Sequence, residues 1–224
     1  MVRGIMRVRA ATGLGLLAAL LIGGPLAASA SASLPEFSGP FPKAFTSTGK
    51  TATVETVAKL QATCTGASDE GTIETPKTGT AKIRLTGCKA LGFECQSKGA
   101  KAGEIVTSTL VNTLGYINAQ KKEVGLDLSG PASGAPFAEF TCSEYTITVT
   151  GSVIGKLTPL NKALKAGKKV SLKFKQSKGK QKPTNFEGAP IDVLSGSVEG
   201  GAPVEAGLKL TDALKFSEAL EIHG

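Results

Sequence analysis

Short runs in which apolar and polar residues alternate dominate the chain after residue 50, and this pattern constrains the fold more than any other feature. In residues 169–175 the apolar Val170, Leu172 and Phe174 alternate with lysines and a serine. The same alternation recurs in residues 82–86, 123–128, 138–142 and 145–150. Because successive side chains of a β-strand point to opposite faces, the pattern predicts strands buried on one face. Many such strands between Gly- and Pro-containing turns predict an all-β fold, a single antiparallel sandwich or barrel-like domain.

Three segments fit this alternation less well. Residues 160–166 are compatible with one or two helical turns, and residues 208–222 fit both a helical and a two-residue spacing. We interpret the latter as two strands. Residues 31–50 contain three prolines among Ser, Gly and Phe, which predicts an extended N-terminal arm. Neither a repeat nor a long linker interrupts residues 51–224, so this span is predicted to be one β domain.

The first thirty residues have the pattern of a secretory signal peptide. Arg3, Arg7 and Arg9 precede an apolar run at 14–22, which is followed by the small residues of 28–30. A basic region, a short apolar region and a small-residue box are what signal peptidase recognises. The run is shorter than the ~20 residues that span a bilayer. We therefore predict cleavage after residue 30, or after residue 32, and a mature protein that is secreted or associated with the cell envelope.

All four cysteines lie in the predicted mature chain. An even number of cysteines in an exported protein predicts disulfides, here two, and the closely spaced pairs of a zinc knuckle are missing. One pairing joins Cys88 to Cys95 across a short Gly-containing loop and Cys64 to Cys142. The other joins Cys64 to Cys88 and Cys95 to Cys142. The short loop favours the first pairing, and both remain open at this point.

The composition argues against common enzyme classes. The chain has one histidine, His223, next to the C-terminus, no Trp and two Tyr. Catalytic triads and His-ligated zinc sites need an imidazole held inside a folded site. We therefore expect no enzymatic activity, no metal and no cofactor. The alternative is a secreted hydrolase that uses carboxylates, for which the candidates are Asp127, Glu139 and Glu144.

Charge is distributed unevenly along the C-terminal third of the chain. Residues 156–186 contain ten lysines and no acidic residue, whereas residues 187–224 contain seven acidic residues and two lysines. The candidate anion-binding residues are Lys168, Lys169, Lys173, Lys175, Lys178, Lys180 and Lys182. Three interpretations are open: a solvated strand face, a binding surface for an anionic cell-wall polymer, glycan or membrane surface, or a segment neutralised by the acidic residues that follow. After the leader only Arg84 is an arginine, which argues against sequence-specific nucleic-acid binding.

Several short motifs together resemble a group of exported actinobacterial proteins of unknown function. The motifs are Thr86-Gly87-Cys88, Cys95-Gln96-Ser97, residues 103–107, Leu114-Gly115-Tyr116, residues 137–142, residues 151–155, residues 173–176 and residues 185–188. The resemblance covers most of residues 60–222 and implies a secreted, mostly β domain held by cysteines. It implies neither an activity nor a cysteine pairing. The predicted function is therefore a non-enzymatic structural or binding module at the cell envelope, with its protein partners unspecified.

Overall fold

The computed structural model describes residues 35–132, 134–187 and 193–224. The predicted signal peptide lies outside these residues. The described chain is all-β, as predicted, and about 60% of the described residues are in strands. Its strands are β1 (Glu36–Phe37), β2 (Lys43–Gly49), β3 (Ala52–Thr56), β4 (Gln61–Cys64), β5 (Gly66–Ile73), β6 (Thr78–Thr86), β7 (Lys89–Ala90), β8 (Phe93–Gln96), β9 (Ile105–Val106), β10 (Leu110–Asn118), β11 (Glu123–Ser129), β12 (Ala138–Cys142), β13 (Tyr145–Thr150), β14 (Ser152–Thr158), β15 (Lys169–Ser177), β16 (Lys180–Lys182), β17 (Ser195–Val198), β18 (Val204–Phe216) and β19 (Ile222–His223). In this part of the chain no helix is long and apolar enough to cross a membrane.

Eight strands close into an antiparallel barrel, which we call the main barrel. Their order is β2, β5, β6, β10, β11, β14, β15 and β18, and β18 pairs with β2 to complete the circle. The alternation read from the sequence places large apolar side chains inside, among them Leu126, Leu172, Phe174 and Leu214. A barrel of eight strands has an interior just wide enough for side chains to fill. The main barrel is therefore a packed core.

A second circle of strands is formed by four β-hairpins, β3–β4, β7–β8, β12–β13 and β17–β18. Each hairpin pairs antiparallel with the next, and β18 pairs with β3 to close the circle. Because neighbours are antiparallel all the way round, the four hairpin turns lie at the same end. We call this circle the second barrel and the end with the turns its mouth.

The two barrels are stacked through strands that run from one into the other. β18 pairs with β17 and β3 along residues 204–209, and with β15 and β2 along residues 210–216. β2 and β3, β4 and β5, and β13 and β14 are each separated by only one or two residues. The end of the second barrel opposite the mouth therefore rests on the packed main barrel.

Three segments differ from the sequence-based expectation. The arm predicted for residues 31–50 is instead part of the domain within its described residues, because β2 is a main-barrel strand and Phe37 is buried. Residues 160–166 form no helical turn; Leu164 makes an isolated β-bridge to Leu220. The two predicted C-terminal strands are one long strand, β18, and the short β19, which pairs with β1.

The structure has two disulfides, as the number of cysteines predicted, but the favoured pairing was wrong. Cys64 is bonded to Cys88, and Cys95 to Cys142. Extending the registers of β4 with β7 and of β7 with β8 places the four cysteines in one row across four neighbouring strands, in the order Cys64, Cys88, Cys95, Cys142. A bond between the middle two, Cys88 and Cys95, leaves the outer two separated by two strands. Pairing each outer cysteine with its neighbour uses all four.

Candidate ligand-binding cavity

The second barrel encloses an open cavity of about 470 Å³. This volume lies within the range of about 300–1,000 Å³ that is typical of small-molecule pockets. All eight strands of the second barrel contribute to the lining. The lining residues are Val54, Thr56, Leu60, Gln61, Ala62, Ala90, Leu91, Phe93, Phe140, Cys142, Tyr145, Ile147, Val149, Gly196, Val198, Ala202, Val204 and Ala206.

The second barrel is hollow because many of its inward positions carry small side chains. Ala62, Ala90, Gly196 and Ala206 occupy positions on four of its strands, where the main barrel has Leu, Ile and Phe. The alternation that turns Phe140 inward turns Glu139 outward, so the inner surface is apolar and the outer surface polar. The local sequence thus makes ordinary half-buried strands, and the small inward residues leave the space between them unfilled.

The cavity is open at the mouth and closed at the opposite end. Phe140, Val149 and Ala206 are buried in the lining, and Val149 lies near the end of β13, which leads into the main-barrel strand β14. Leu91 and Phe93, at the mouth, keep 81% and 56% of their surface exposed. A ligand therefore enters between the hairpin turns.

None of the described residues that line the cavity is charged. Its few polar side chains are those of Thr56, Gln61 and Tyr145. The Thr56 hydroxyl already accepts a hydrogen bond from the backbone N–H of Leu60. Without an acid, a base or a free thiol on its walls, this site is suited to binding an apolar group by burial.

The fold and the cavity together define a class of protein, a small disulfide-linked β-barrel protein with an open apolar pocket. Comparison of the chain with protein-family models, with curated proteins and with solved structures finds no match. The resemblance to exported actinobacterial proteins therefore stays a prediction. Two disulfides are typical of proteins that fold in an oxidising environment.

The seven candidate anion-binding lysines lie outside the cavity and are all exposed. Lys168 is in the loop before β15; the rest lie on β15, on β16 and in the turn between them. In the registers, Lys173 is opposite Lys156, Lys175 is opposite Lys182, and Lys169 is opposite Lys215. Side chains directly opposite each other share a face. The three pairs therefore form one surface, and we call this surface the lysine face. Like charges in such pairs repel.

Most acidic residues of the C-terminal segment have partners away from the lysine face. Glu218 pairs with the buried Lys43, and Glu221 lies 3.6 Å from His223. Glu187 and Glu199 accept backbone N–H groups of Tyr116 and Thr146. Among the described residues, the ion pair made by the Lys-rich segment is that of Lys156 with Glu123, at 2.6 Å, and its hydrogen bond lowers the pKa of Glu123.

The three carboxylates considered for hydrolysis are not brought together in a cleft. Asp127 is half-buried on the outer side of the main barrel, since it lies between Leu126 and Leu128, which face the core. Glu139 and Glu144 are exposed on the second barrel, on β12 and in the turn that follows it. Within the described residues, no three acidic, His or Cys side chains are placed to hold a metal ion.

A buried pair of carboxyl groups, Asp69 and Asp212, lies inside the main barrel. The Ser47 hydroxyl donates to Asp69 at 2.5 Å, and the Asp212 carboxyl lies near enough to Asp69 for each to influence the pKa of the other. Burial, reinforced by the neighbouring Asp69, raises the pKa of Asp212 to about 8. Burial also raises the pKa of Asp69, against the effect of its bond from Ser47. At neutral pH the pair therefore holds a proton, which lets one carboxyl donate to the other.

Sequence reasoning missed the cavity and the buried acid pair. One signal for the cavity was present: Leu60, Leu91 and Phe93 lie at or beside hairpin turns, where polar residues are the rule. The acid pair had a weaker signal, since Asp69 and Asp212 lie among residues of alternating pattern at positions that face inward. Each of these signals points to a place in the fold only once the strand pairing is known.

Proposed function

We propose that this protein is an exported binding protein whose second barrel holds an apolar molecule. The single observation that carries the proposal is the open cavity of about 470 Å³ with an apolar, uncharged lining. Removing apolar surface from water stabilises a complex by about 25 cal/mol per Å². A cavity that exposes such a surface to solvent gains this free energy when a ligand fills it.

The occupant that fits best is the hydrocarbon part of an amphiphile. Below the mouth the lining consists of apolar side chains such as Phe140, Ile147 and Val149, so it suits a chain or ring without polar groups. The mouth opens to water, where a polar headgroup keeps its hydration. Gln61 and Tyr145 lie along the lining and supply hydrogen-bonding groups for a headgroup.

The predicted signal peptide and the two disulfides support action outside the cytoplasm. The lining also favours a binding role over an enzymatic one, because its described residues include no carboxylate, imidazole, amine or free thiol. In this proposal the protein carries or stores an apolar compound at or beyond the cell envelope.

The test is a fluorescence titration with N-phenyl-1-naphthylamine, an uncharged apolar probe that brightens in dry surroundings. We expect saturable binding of one probe per chain and displacement by a long-chain alcohol. An Ala62→Phe variant fills the cavity from β4 and should abolish the signal. Its matched control is Thr63→Phe, which adds the same ring to the opposite face of the same strand.

The two variants distinguish binding in the cavity from nonspecific binding to the protein surface. If Ala62→Phe and Thr63→Phe bind the probe as the unmodified protein does, the cavity is not the site and the proposal fails. Lack of saturable binding by the unmodified protein overturns it as well. Thermal unfolding of both variants shows whether a lost signal comes from an unfolded chain.

A second candidate function, polyanion binding, is favoured by the lysine face. Three pairs of lysines lie directly opposite each other, although such pairs destabilise a sheet. An anionic cell-wall polymer or glycan on this face relieves the repulsion. Salt-sensitive retention of the protein on heparin and on cell-wall polysaccharide tests this candidate, and no retention at low salt contradicts it.

A further inference from the structure

The large hydrophobic side chains that the described residues expose all surround the mouth. They are Val57, Leu60, Leu91, Phe93, Tyr145 and Val198. Each lies in or next to one of the four hairpin turns of the second barrel. Scattered single hydrophobic residues are normal on a protein surface, whereas a patch gathered around one opening marks an interaction site.

Lysines lie beside this apolar rim. The β15–β16 hairpin packs against the end of β3 so closely that a side chain on Gly179 would collide with the backbone of Thr56. This contact places Lys178 and Lys180, both exposed, at the edge of the mouth next to Val57. Lys59, in the β3–β4 turn, adds a third cation and is paired with Glu55. The lysine face continues from this hairpin along β15.

Two of the acidic residues near the mouth already have partners. Glu199 is held by the backbone N–H of Thr146, and Glu94 is directly opposite Lys89 in the register of β7 and β8. Glu144, in the β12–β13 turn, is exposed. The side of the mouth formed by β3 and the β15–β16 hairpin carries Lys59, Lys178 and Lys180 against Glu55 and Glu205, so it is net basic.

We propose that the mouth of the second barrel docks on the surface of an anionic lipid bilayer. The exposed rim residues enter the boundary between headgroups and acyl chains, and Lys178 and Lys180 contact lipid phosphates. Hydrophobic side chains beside basic ones give this kind of interfacial binding, because the lysines add electrostatic attraction to the anionic surface. The inference rests on the proposed function for its purpose: a hydrocarbon chain passes between bilayer and cavity without crossing water.

The test is co-sedimentation of the full chain with phosphatidylcholine vesicles and with mixed phosphatidylcholine–phosphatidylglycerol vesicles. We expect stronger binding to the anionic mixture. Leu91→Ser with Phe93→Ser should weaken binding about tenfold or more, and Leu91→Ile with Phe93→Leu should restore it. Every variant carries the same residues 1–34, so any vesicle binding by that segment is the same in all of them. A difference in vesicle binding between variants therefore comes from the mouth.

The electrostatic part has its own matched pair. Lys178→Glu with Lys180→Glu should abolish the preference for phosphatidylglycerol. Lys98→Glu with Lys101→Glu makes the same change in net charge at exposed lysines outside the mouth and the lysine face, and should preserve it. If both double variants lose the preference equally, net charge alone explains it and the proposed docking is overturned.

Two further results decide against the proposal or separate it from the proposed function. Equal vesicle binding by the unmodified protein and by Leu91→Ser with Phe93→Ser overturns it, as does a dimer that this variant dissociates, because the rim is then an interface between copies. Probe titration without vesicles is the independent measurement. Vesicle binding without probe binding supports the docking and contradicts the proposed function. Probe binding without vesicle binding contradicts the docking alone.

Discussion

The carboxyl group of Asp212 reaches Asp69 across strand β2, which lies between their two strands. β2 makes this possible at Gly49, which is directly opposite Asp212 in the register. A side chain on Gly49 would collide with the Asp212 carboxyl, so the absence of a Cβ opens the path from β18 to β5. Asp212 is only 1% exposed, and the space that it occupies is enclosed by the main barrel.

This pair predicts that the protein loses stability as the pH rises. The folded state raises the pKa of Asp212 to about 8, whereas an unfolded Asp titrates at about 4. Between these values the folded chain holds a proton that the unfolded chain has lost. Stability therefore falls with increasing pH over this window, by up to about 1.4 kcal/mol per pH unit for one proton.

Asp212→Asn should reduce this pH dependence, because an amide stays neutral and still donates a hydrogen bond to Asp69. We expect the midpoint of thermal unfolding to fall less between pH 5 and pH 9 in the variant than in the unmodified protein. Glu144→Gln, which removes an exposed carboxyl, is the control and should leave the dependence unchanged. The same pH slope in Asp212→Asn and in the unmodified protein contradicts the assignment.

The disulfide pairing gives a direct chemical prediction. Proteolysis without reduction, followed by mass spectrometry, should recover peptides that link Cys64 to Cys88 and Cys95 to Cys142. Recovery of a peptide that links Cys88 to Cys95 would show that the row of four cysteines pairs through its middle members. Reduction before proteolysis should remove every linked peptide and serves as the control.

Removal of either disulfide should destabilise the protein by about 2–5 kcal/mol. The bond between Cys95 and Cys142 closes a span of 47 residues and the other a span of 24, a twofold difference that is worth about 0.6 kcal/mol in chain entropy. Denaturant unfolding of the two double Ser variants measures both losses.

The two disulfide variants should also differ in binding. Cys142 lines the cavity, whereas Cys64 and Cys88 are not among the lining residues. We therefore expect the Cys95→Ser with Cys142→Ser variant to bind N-phenyl-1-naphthylamine more weakly than the Cys64→Ser with Cys88→Ser variant under conditions where both are folded. Equal affinity would show that the probe does not contact Cys142.

Charge reversal on the lysine face should leave the fold intact and favour its stability. Lys173→Glu places a carboxylate opposite Lys156, and Lys175→Glu places one opposite Lys182. Replacing like-charge pairs by opposite-charge pairs contributes about 0.2–1 kcal/mol for each pair. We expect the double variant to unfold at the same or a higher temperature and to elute from heparin at lower salt.

The comparison for this prediction is Lys98→Glu with Lys101→Glu, which changes the net charge equally outside the lysine face. If both double variants shift the heparin elution by the same amount, binding follows net charge and the lysine face has no special role. A lower unfolding temperature for Lys173→Glu with Lys175→Glu would show that the cross-strand repulsion is not relieved.

The amino-acid sequence by itself determined the local features of this protein. Alternation at 169–175 and 145–150 predicted β15 and β13, because side-chain direction along a strand depends only on neighbouring residues. The four cysteines predicted two disulfides, and the lysines of residues 169–175 were placed on the solvent side. The all-β class followed from the same information.

Only the tertiary structure decided how these strands close, and with that where a ligand fits. β18 pairs with β2 and β3, 150 to 171 residues away along the chain, and this register sets Asp212 opposite Gly49. The cysteine pairing depends on which strands are neighbours, so the prediction of a Cys88–Cys95 bond from the short loop between them was wrong. Ala62 and Ala206 are unremarkable in the sequence. They leave a cavity because four hairpins form a circle around them, and strand closure is a property of distant contacts that no local pattern encodes.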